Sequence, residues 1–210
     1  MPGGAYDFLQ VNFLPWNGAR MAFVTSKDGT SIAYQRAGTG PAVILVGGGL
    51  DDGSENAVLV PELARRFTVF NYARRGRGDS GDTAPYAVER EIEDIDALIS
   101  EAGGPARLFG ASSFWPGLEA LAPTLAYDAA CLGDGRPPVA RLASITQPTL
   151  VATGGIPDPH MGGLQPGFFD AAADAIAAAL PQAERRIVEG QTHVADPKVL
   201  AGVLDRFFTR

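Results

Sequence analysis

PAVILVGGG, residues 41–49, is a continuous apolar run that ends in three glycines. A strand without polar alternation must be covered on both faces, as the strands of a parallel sheet are. Working outward, SENAVLVPELARRF (54–67) has helical spacing, with Asp52 or Ser54 placed to cap it. TVFNYARRG (68–76) is the next strand. AVEREIEDIDALISEAG (87–103) is an amphipathic helix whose Ile92, Ile95 and Leu98 share a face. ARLFGAS (106–112) and PTLVATGG (148–155) are further buried strands. GFFDAAADAIAAALP (167–181), AERRIVEG (183–190) and DPKVLAGVLDRFF (196–208) continue as helix, strand and helix. Upstream, MAFVTS (21–26), KDGT and SIAYQRAG (31–38) predict a β-hairpin around Asp28-Gly29.

From residue 41 onward strands alternate with helices. That pattern predicts right-handed βαβ units and an α/β fold: a mostly parallel sheet with an N-terminal β-hairpin and flanking helices. Residues 1–20 have no clean period and are expected to form an irregular arm; residues 21–210 are expected to form a single domain. The rhythm breaks between Ser113 and Gln147. This stretch holds Pro116, Pro123, Pro137 and Pro138, with short helices expected around 118–131 and 138–144 and no strand.

Composition narrows the chemistry. The chain has 210 residues, a net charge of -7 and one cysteine. A lone Cys131 excludes an intramolecular disulfide and a multi-cysteine zinc site. An acidic chain gains little from nucleic-acid phosphates. No apolar run approaches the ~20 residues of a membrane helix, and the first twenty residues carry no basic stretch followed by an apolar one. The expectation is a cytoplasmic protein without nucleic-acid or membrane partners.

The strand ARLFG runs into Gly110-Ala111-Ser112-Ser113-Phe114. A serine at a strand tip, with glycine two residues before it, has the spacing of a strained turn that projects a nucleophilic Oγ above a sheet edge. A strand-end loop would give the same letters. The glycines 47–49 could turn backbone N–H groups, Gly48 or Gly49 with Ser113, toward a developing oxyanion. They could equally form a tight turn or a phosphate cradle, although the spacing of a nucleotide loop is missing. His193, in VEGQTHVADP, follows the last strand, where α/β sheets place reactive groups. His160 is the other histidine, in a looser loop. Asp158 follows TLVATGG, giving the chain order Ser112, Asp158, His193.

Taken together, SKDGTSIAYQRAGTGPAVILVGGG, NYARRGRGDSGD, REIEDIDALISEAGG, LFGASS, PTLVATGG and EGQTHVADPKVLAGVLDRFF resemble the α/β-hydrolase superfamily, in particular small cap-bearing esterase-like and epoxide-hydrolase-like members. The resemblance runs from about residue 24 to the end. It implies a serine hydrolase without metal or organic cofactor, with Ser112 as nucleophile, His193 as base and Asp158 as acid. In related sequences the acid can instead follow the family's sixth strand. The implied oxyanion donors are Ser113 with Gly48 or Gly49. A small, largely apolar ester-like substrate would meet Phe114 and Trp115, with Phe168 and Phe169 either in that pocket or in the core.

Three departures stand out. Ala73 occupies the first position of a D-x-R-G-x-G-x-S pattern, so a bond that stiffens this loop is expected to be lost. Phe114 replaces a small residue after the serine turn. The family's sixth strand and most of the cap have no counterpart, as if about 60–70 residues, a strand plus helices of ordinary length, were missing between Ser113 and Phe114. Residues 113–147 would then be a truncated cap remnant. Losing an interior strand leaves unpaired backbone groups. Closure of the neighbouring strands, a loop or a partner chain would have to fill the gap, and an unpaired edge makes a homodimer the natural expectation. These departures also support two alternatives: a repurposed fold that binds or builds without catalysis, and a cofactor-free lyase or cyclase.

Overall fold

The structure, a computed structural model, describes residues 21–49, 51–110, 124–133, 137–157 and 167–210. The chain falls into two compact units, one ending at Leu125 and the other running from Ala126 to Arg210.

The first unit is built on a five-stranded sheet. Its strands are β1 (Met21–Thr25), β2 (Ser31–Ala37), β3 (Ala42–Val46), β4 (Thr68–Tyr72) and β5 (Arg107–Gly110), in the order β1-β2-β4-β3-β5. β1 and β2 form the expected antiparallel hairpin, and β2 pairs antiparallel with β4. The β4–β3 and β3–β5 pairs are parallel. Asp28 Oδ1 accepts from the Thr30 N–H at 3.0 Å, and Gly29 supplies the positive φ the turn requires. Val43, Ile44 and Leu45 of β3 are fully buried, as their unbroken apolar run requires, and every residue of β4 is buried.

Two local expectations change. The helix expected over 54–67 is a 3-10 turn, Asn56–Val58, followed by one α-turn, α1 (Val60–Leu63); neither carries a side-chain cap. Asp52 Oδ1 instead accepts from the Ser54 N–H; the 3-10 turn ends on β-branched Val58 and α1 starts on β-branched Val60. In α2 (Val88–Glu101) the buried stripe is Glu91, Asp94 and Leu98, while Ile92 is 43% exposed. Carboxylates take the inward positions because arginines meet them there, as described below.

β5 also differs from its reading as a doubly covered strand. Its residues alternate between partly buried and exposed, and Leu108 is 49% exposed. Among the described residues β5 pairs with β3 alone, so its second edge lacks a hydrogen-bonded neighbour.

In the second unit β6 (Thr149–Gly154) and β7 (Ala183–Val188) pair in parallel, from Thr149 opposite Ala183 to Gly154 opposite Val188. The single, mostly parallel sheet expected from the alternation is therefore, among the described residues, a five-stranded mixed sheet and a separate parallel pair. Helices α3 (Leu125–Leu132) and α4 (Val139–Leu142) occupy the proline-rich stretch, and α5 (Phe168–Ala179) is the crossover between β6 and β7. Arg185 of β7 and Thr153 of β6 both donate to Asp170 Oδ1 of α5 at 2.7 Å, tying the crossover to both strands. The last helix, α6 (Pro197–Phe208), starts at Asp196, whose Oδ1 accepts from the N–H groups of Lys198 and Val199. The N-terminal arm, residues 1–20, lies outside the described residues.

Candidate active site

β3 delivers the chain to Gly47, which is buried against Asp51; a Cβ at Gly47 would stand 2.7 Å from Asp51 Oδ2. Asp51 organises the turn that follows. Its Oδ1 accepts from the N–H groups of Gly53 (2.8 Å) and Glu55 (3.3 Å), and its Oδ2 from Asn56 Nδ2. Burial pushes its carboxyl above the ordinary range, against the pull of those N–H groups. Asn71 of β4 closes the far side by donating to the Gly53 carbonyl at 2.8 Å.

The loop after β4 supplies a second layer. Arg74 Nη1 and Arg77 Nη1 both donate to the carbonyl of Gly48, at 3.0 and 3.1 Å. Arg74 is held from behind by a bidentate pair with Glu91 of α2, at 3.1 and 2.9 Å. Arg77 also donates to the Asp51 carbonyl and to Thr124 Oγ1, each at 3.1 Å. Between them Arg75, with no exposed surface, forms a bidentate pair with Asp94 (2.9 and 2.7 Å) and reaches Asp28 in the hairpin turn at 2.9 Å. The Arg75 guanidinium holds the Asp28 carboxyl well below the usual carboxylate range. The bond expected to be lost at Ala73 has others in its place. Ser80 Oγ donates to the Ala73 carbonyl at 2.7 Å and accepts from the Ala33 N–H at 2.8 Å, while the arginines bind the loop to α2 and β1–β2. The ion pairs come from positions that the missing aspartate does not occupy.

In the second unit His193 sits between β7 and α6. The loop lies directly on the end of β6: a Cβ on Gly154 would meet the Thr192 carbonyl oxygen at 2.2 Å. The Gln191 carbonyl accepts from the Ile156 N–H at 2.9 Å, and Gln191 Oε1 accepts from the Asp196 N–H at 2.7 Å. The imidazole stacks on Phe169 of α5, with centroids 4.5 Å apart and planes 18° from parallel. Its Nε2 is shielded from solvent and has no hydrogen-bond partner among the described residues. Phe169, weighed in the sequence as pocket or core, is the ring that sets the plane of the imidazole; its neighbour Phe168 is 50% exposed.

Ser112, Ser113, Phe114, Trp115, Asp158 and the second histidine, His160, lie outside the described residues. Of the sequence candidates, the structure describes Gly48 and Gly49 in the first unit and His193 in the second. The spacing of motifs did not reveal Arg74, Arg77, Glu91 or Asp94. The available signal was three arginines in ARRGR at a strand end, with carboxylates three residues apart on the next helix. Among the described residues no cluster of three His, Cys, Asp or Glu side chains is placed to hold a metal, and no helix is long and apolar enough to cross a membrane.

No family model matches the chain. A solved alpha/beta hydrolase from Sphaerobacter thermophilus DSM 20745 is 36% identical, is covered over 100% of its length by 89% of this chain, and superposes with a TM-score of 0.80. The Bacillus subtilis protein called Uncharacterized hydrolase YraK is 36% identical over 89 residues, which are 40% of this chain and 33% of that protein. The chain thus matches about a third of the length of this curated relative. A thermophilic esterase from Thermogutta terrifontis shares the fold at 18% identity, over 91% of this chain and 98% of its own, with a TM-score of 0.68. At 36% identity to a solved alpha/beta hydrolase over 89% of its length, the chain belongs to the α/β-hydrolase superfamily.

Proposed function

We propose that the chain is a serine hydrolase acting on a small, largely apolar ester-like substrate. Ser112 Oγ attacks the carbonyl carbon while His193 takes its proton. The carbonyl oxygen becomes an oxyanion held by the N–H groups of Ser113 and of Gly48 or Gly49. The leaving alkoxide departs with the proton from His193. Water, deprotonated by the same imidazole, then releases the acyl group and regenerates Ser112. Asp158 orients the imidazole and stabilises its cation. Phe114 and Trp115 supply apolar walls, and the chemistry uses no metal or organic cofactor.

The observation that carries this reading is His193 itself. A shielded nitrogen without a partner costs about 1–3 kcal/mol, which a fold tolerates where the atom has work to do. Here the ring stacks on Phe169, and among the described residues Nε2 has no hydrogen-bond partner.

A fluorophosphonate probe tests the proposal. The expected result is a single adduct on Ser112, read by peptide mass spectrometry. Ser112→Ala should abolish it, and His193→Ala should slow it by about 10³-fold or more. Folded wild-type protein that takes no label would overturn the proposal. One observation favours a second reading: among the described residues β5 pairs with β3 alone, an edge that supports a fold retained for binding without catalysis. That reading expects no label. Labelling without ester turnover would point instead to a cofactor-free lyase or cyclase.

A further inference from the structure

The first strand of the sheet has a free edge: among the described residues β1 pairs with β2 alone. Which of its backbone groups face outward follows from its neighbours. The Ala33 carbonyl accepts from the Ala73 N–H at 3.0 Å, so Ala33 turns its backbone groups toward β4. Successive residues of an antiparallel strand face opposite sides, so Ile32 and Tyr34 turn theirs toward β1. Their partners there are Val24 and Ala22. Met21, Phe23 and Thr25 therefore point their N–H and C=O groups at the free edge. Two side chains of this row are also uncovered, Met21 at 42% and Phe23 at 55% exposed, whereas Ala22 and Val24 pack against the core cluster that holds Phe70 and Leu98.

The segment that leads into β1 carries a pattern matched to that edge. FLQVNFLPW (8–16) is followed by Asn17-Gly18 and then by Ala19-Arg20-Met21. Asn-Gly is the preferred pair of a two-residue type I′ turn, which joins antiparallel strands. A two-residue loop at 17–18 makes Trp16 and Ala19 the closing hydrogen-bonded pair. The next such pairs are Leu14 with Met21, Asn12 with Phe23 and Gln10 with Thr25. These are the residues of β1 whose groups are free. A loop one residue longer would call on Ala22 and Val24, whose groups are already turned to β2. The side chains agree with the same register. Phe13 and Val11 fall opposite Ala22 and Val24, on the face that packs against the core. Leu14 falls opposite Met21, on the exposed face, with polar Asn12 and Gln10 beyond it. Pro15 lands where its missing N–H faces away from β1, a position an outermost strand tolerates.

We propose that residues 10–16 add an outermost strand to the sheet, antiparallel to β1, through the Asn17-Gly18 turn. This strand seals the β1 edge and leaves β5 as the edge of the sheet open to another chain. The proposal does not depend on the hydrolase reading.

The test is residue-resolved amide hydrogen exchange by NMR on the full chain. The amides of Met21 and Phe23 should exchange about 100-fold or more slowly than unpaired amides, at every protein concentration, and those of Leu14 and Asn12 should be slowed with them. Gly18→Val places a β-branched residue where the turn needs a positive φ. It should remove most of that protection while the amides of Ala22 and Val24, bonded to β2, stay within about threefold of wild type. In wild-type protein the Hα atoms of Phe13 and Ala22, a directly opposed pair without hydrogen bonds, should give a strong nuclear Overhauser contact, so the register is decided even if Gly18→Val does not fold. Rapid exchange at Met21 and Phe23 beside protected Ala22 and Val24 would overturn the proposal. So would protection that grows with protein concentration, which puts a second copy on the edge, protection unchanged in folded Gly18→Val, or a Phe13 Hα contact to a residue other than Ala22.

Discussion

The imidazole of His193 and the glycine beneath its loop set the tolerance of the second unit. Phe169 lies flat on the imidazole, and an aromatic pair of this kind contributes about 0.5–1.5 kcal/mol beyond simple burial. Phe169→Ala removes that term together with the ring's own burial, so it should cost more than that in urea unfolding and lower the phosphonate labelling rate about tenfold, because the freed imidazole samples other planes. Gly154 has no such latitude. A methyl group there would lie inside the contact distance of two backbone oxygens, those of Thr192 and Gln191. Gly154→Ala should therefore push the 191–193 segment away and reduce labelling by an order of magnitude or more, with a stability loss of about 1–3 kcal/mol. Asp28 sets a pH dependence. Its folded pKa is depressed by Arg75, so its stabilising contribution is complete above its unfolded value of about 3.9 and disappears as the pH falls through the lower folded value. The urea midpoint should drop on going from pH 5 to pH 3, and Asp28→Asn should flatten that drop.

Helix α2 shows most clearly what a sequence reveals and what it withholds. Its span, expected over 87–103, is Val88–Glu101, and the hairpin, β3, β6, α5, β7 and α6 also fall where their periodicity places them. Periodicity records which residues alternate and therefore finds elements well. It assigned Ile92 to the inner face because isoleucine is apolar, whereas the inner face holds Glu91 and Asp94. Their burial depends on arginines 17 and 19 residues upstream, a tertiary fact invisible to any local window. The same limit applies to β5: its apolar letters imply cover on both faces, but cover is decided by neighbouring strands. Of the candidate site, the loops at Gly48–Gly49 and His193 were legible as glycine and histidine at strand ends, while their supports, Arg74, Arg77 and the Phe169 stack, were not. Asp94→Ala should be severe at this scale. It removes both oxygens that pair with a fully buried guanidinium and leaves Arg75 with Asp28 as its remaining carboxylate, a change that typically costs about 3–5 kcal/mol. Replacing the pair together, Arg75→Met with Asp94→Leu, should recover part of that loss.

At the scale of the whole molecule the open edge of β5 dominates. Among the described residues its second row of N–H and C=O groups faces no partner, and such an edge invites another chain. The half-exposed Leu108 adds apolar surface beside that edge. Concentration-dependent dimerisation should be visible by sedimentation velocity in the micromolar range, and Leu108→Lys should weaken it; a monomer at every concentration would show that the edge is protected in solution. The buried arginine row has a consequence of another kind. Phenylglyoxal attacks guanidinium groups only where it can reach them, so the side chains of Arg65 and Arg66 at the surface should be consumed at once. Arg75, sealed between α2 and the hairpin turn, can react only during excursions that part them. Its modification rate would then act as a stopwatch for the breathing of the first unit, read residue by residue from the mass of the adduct.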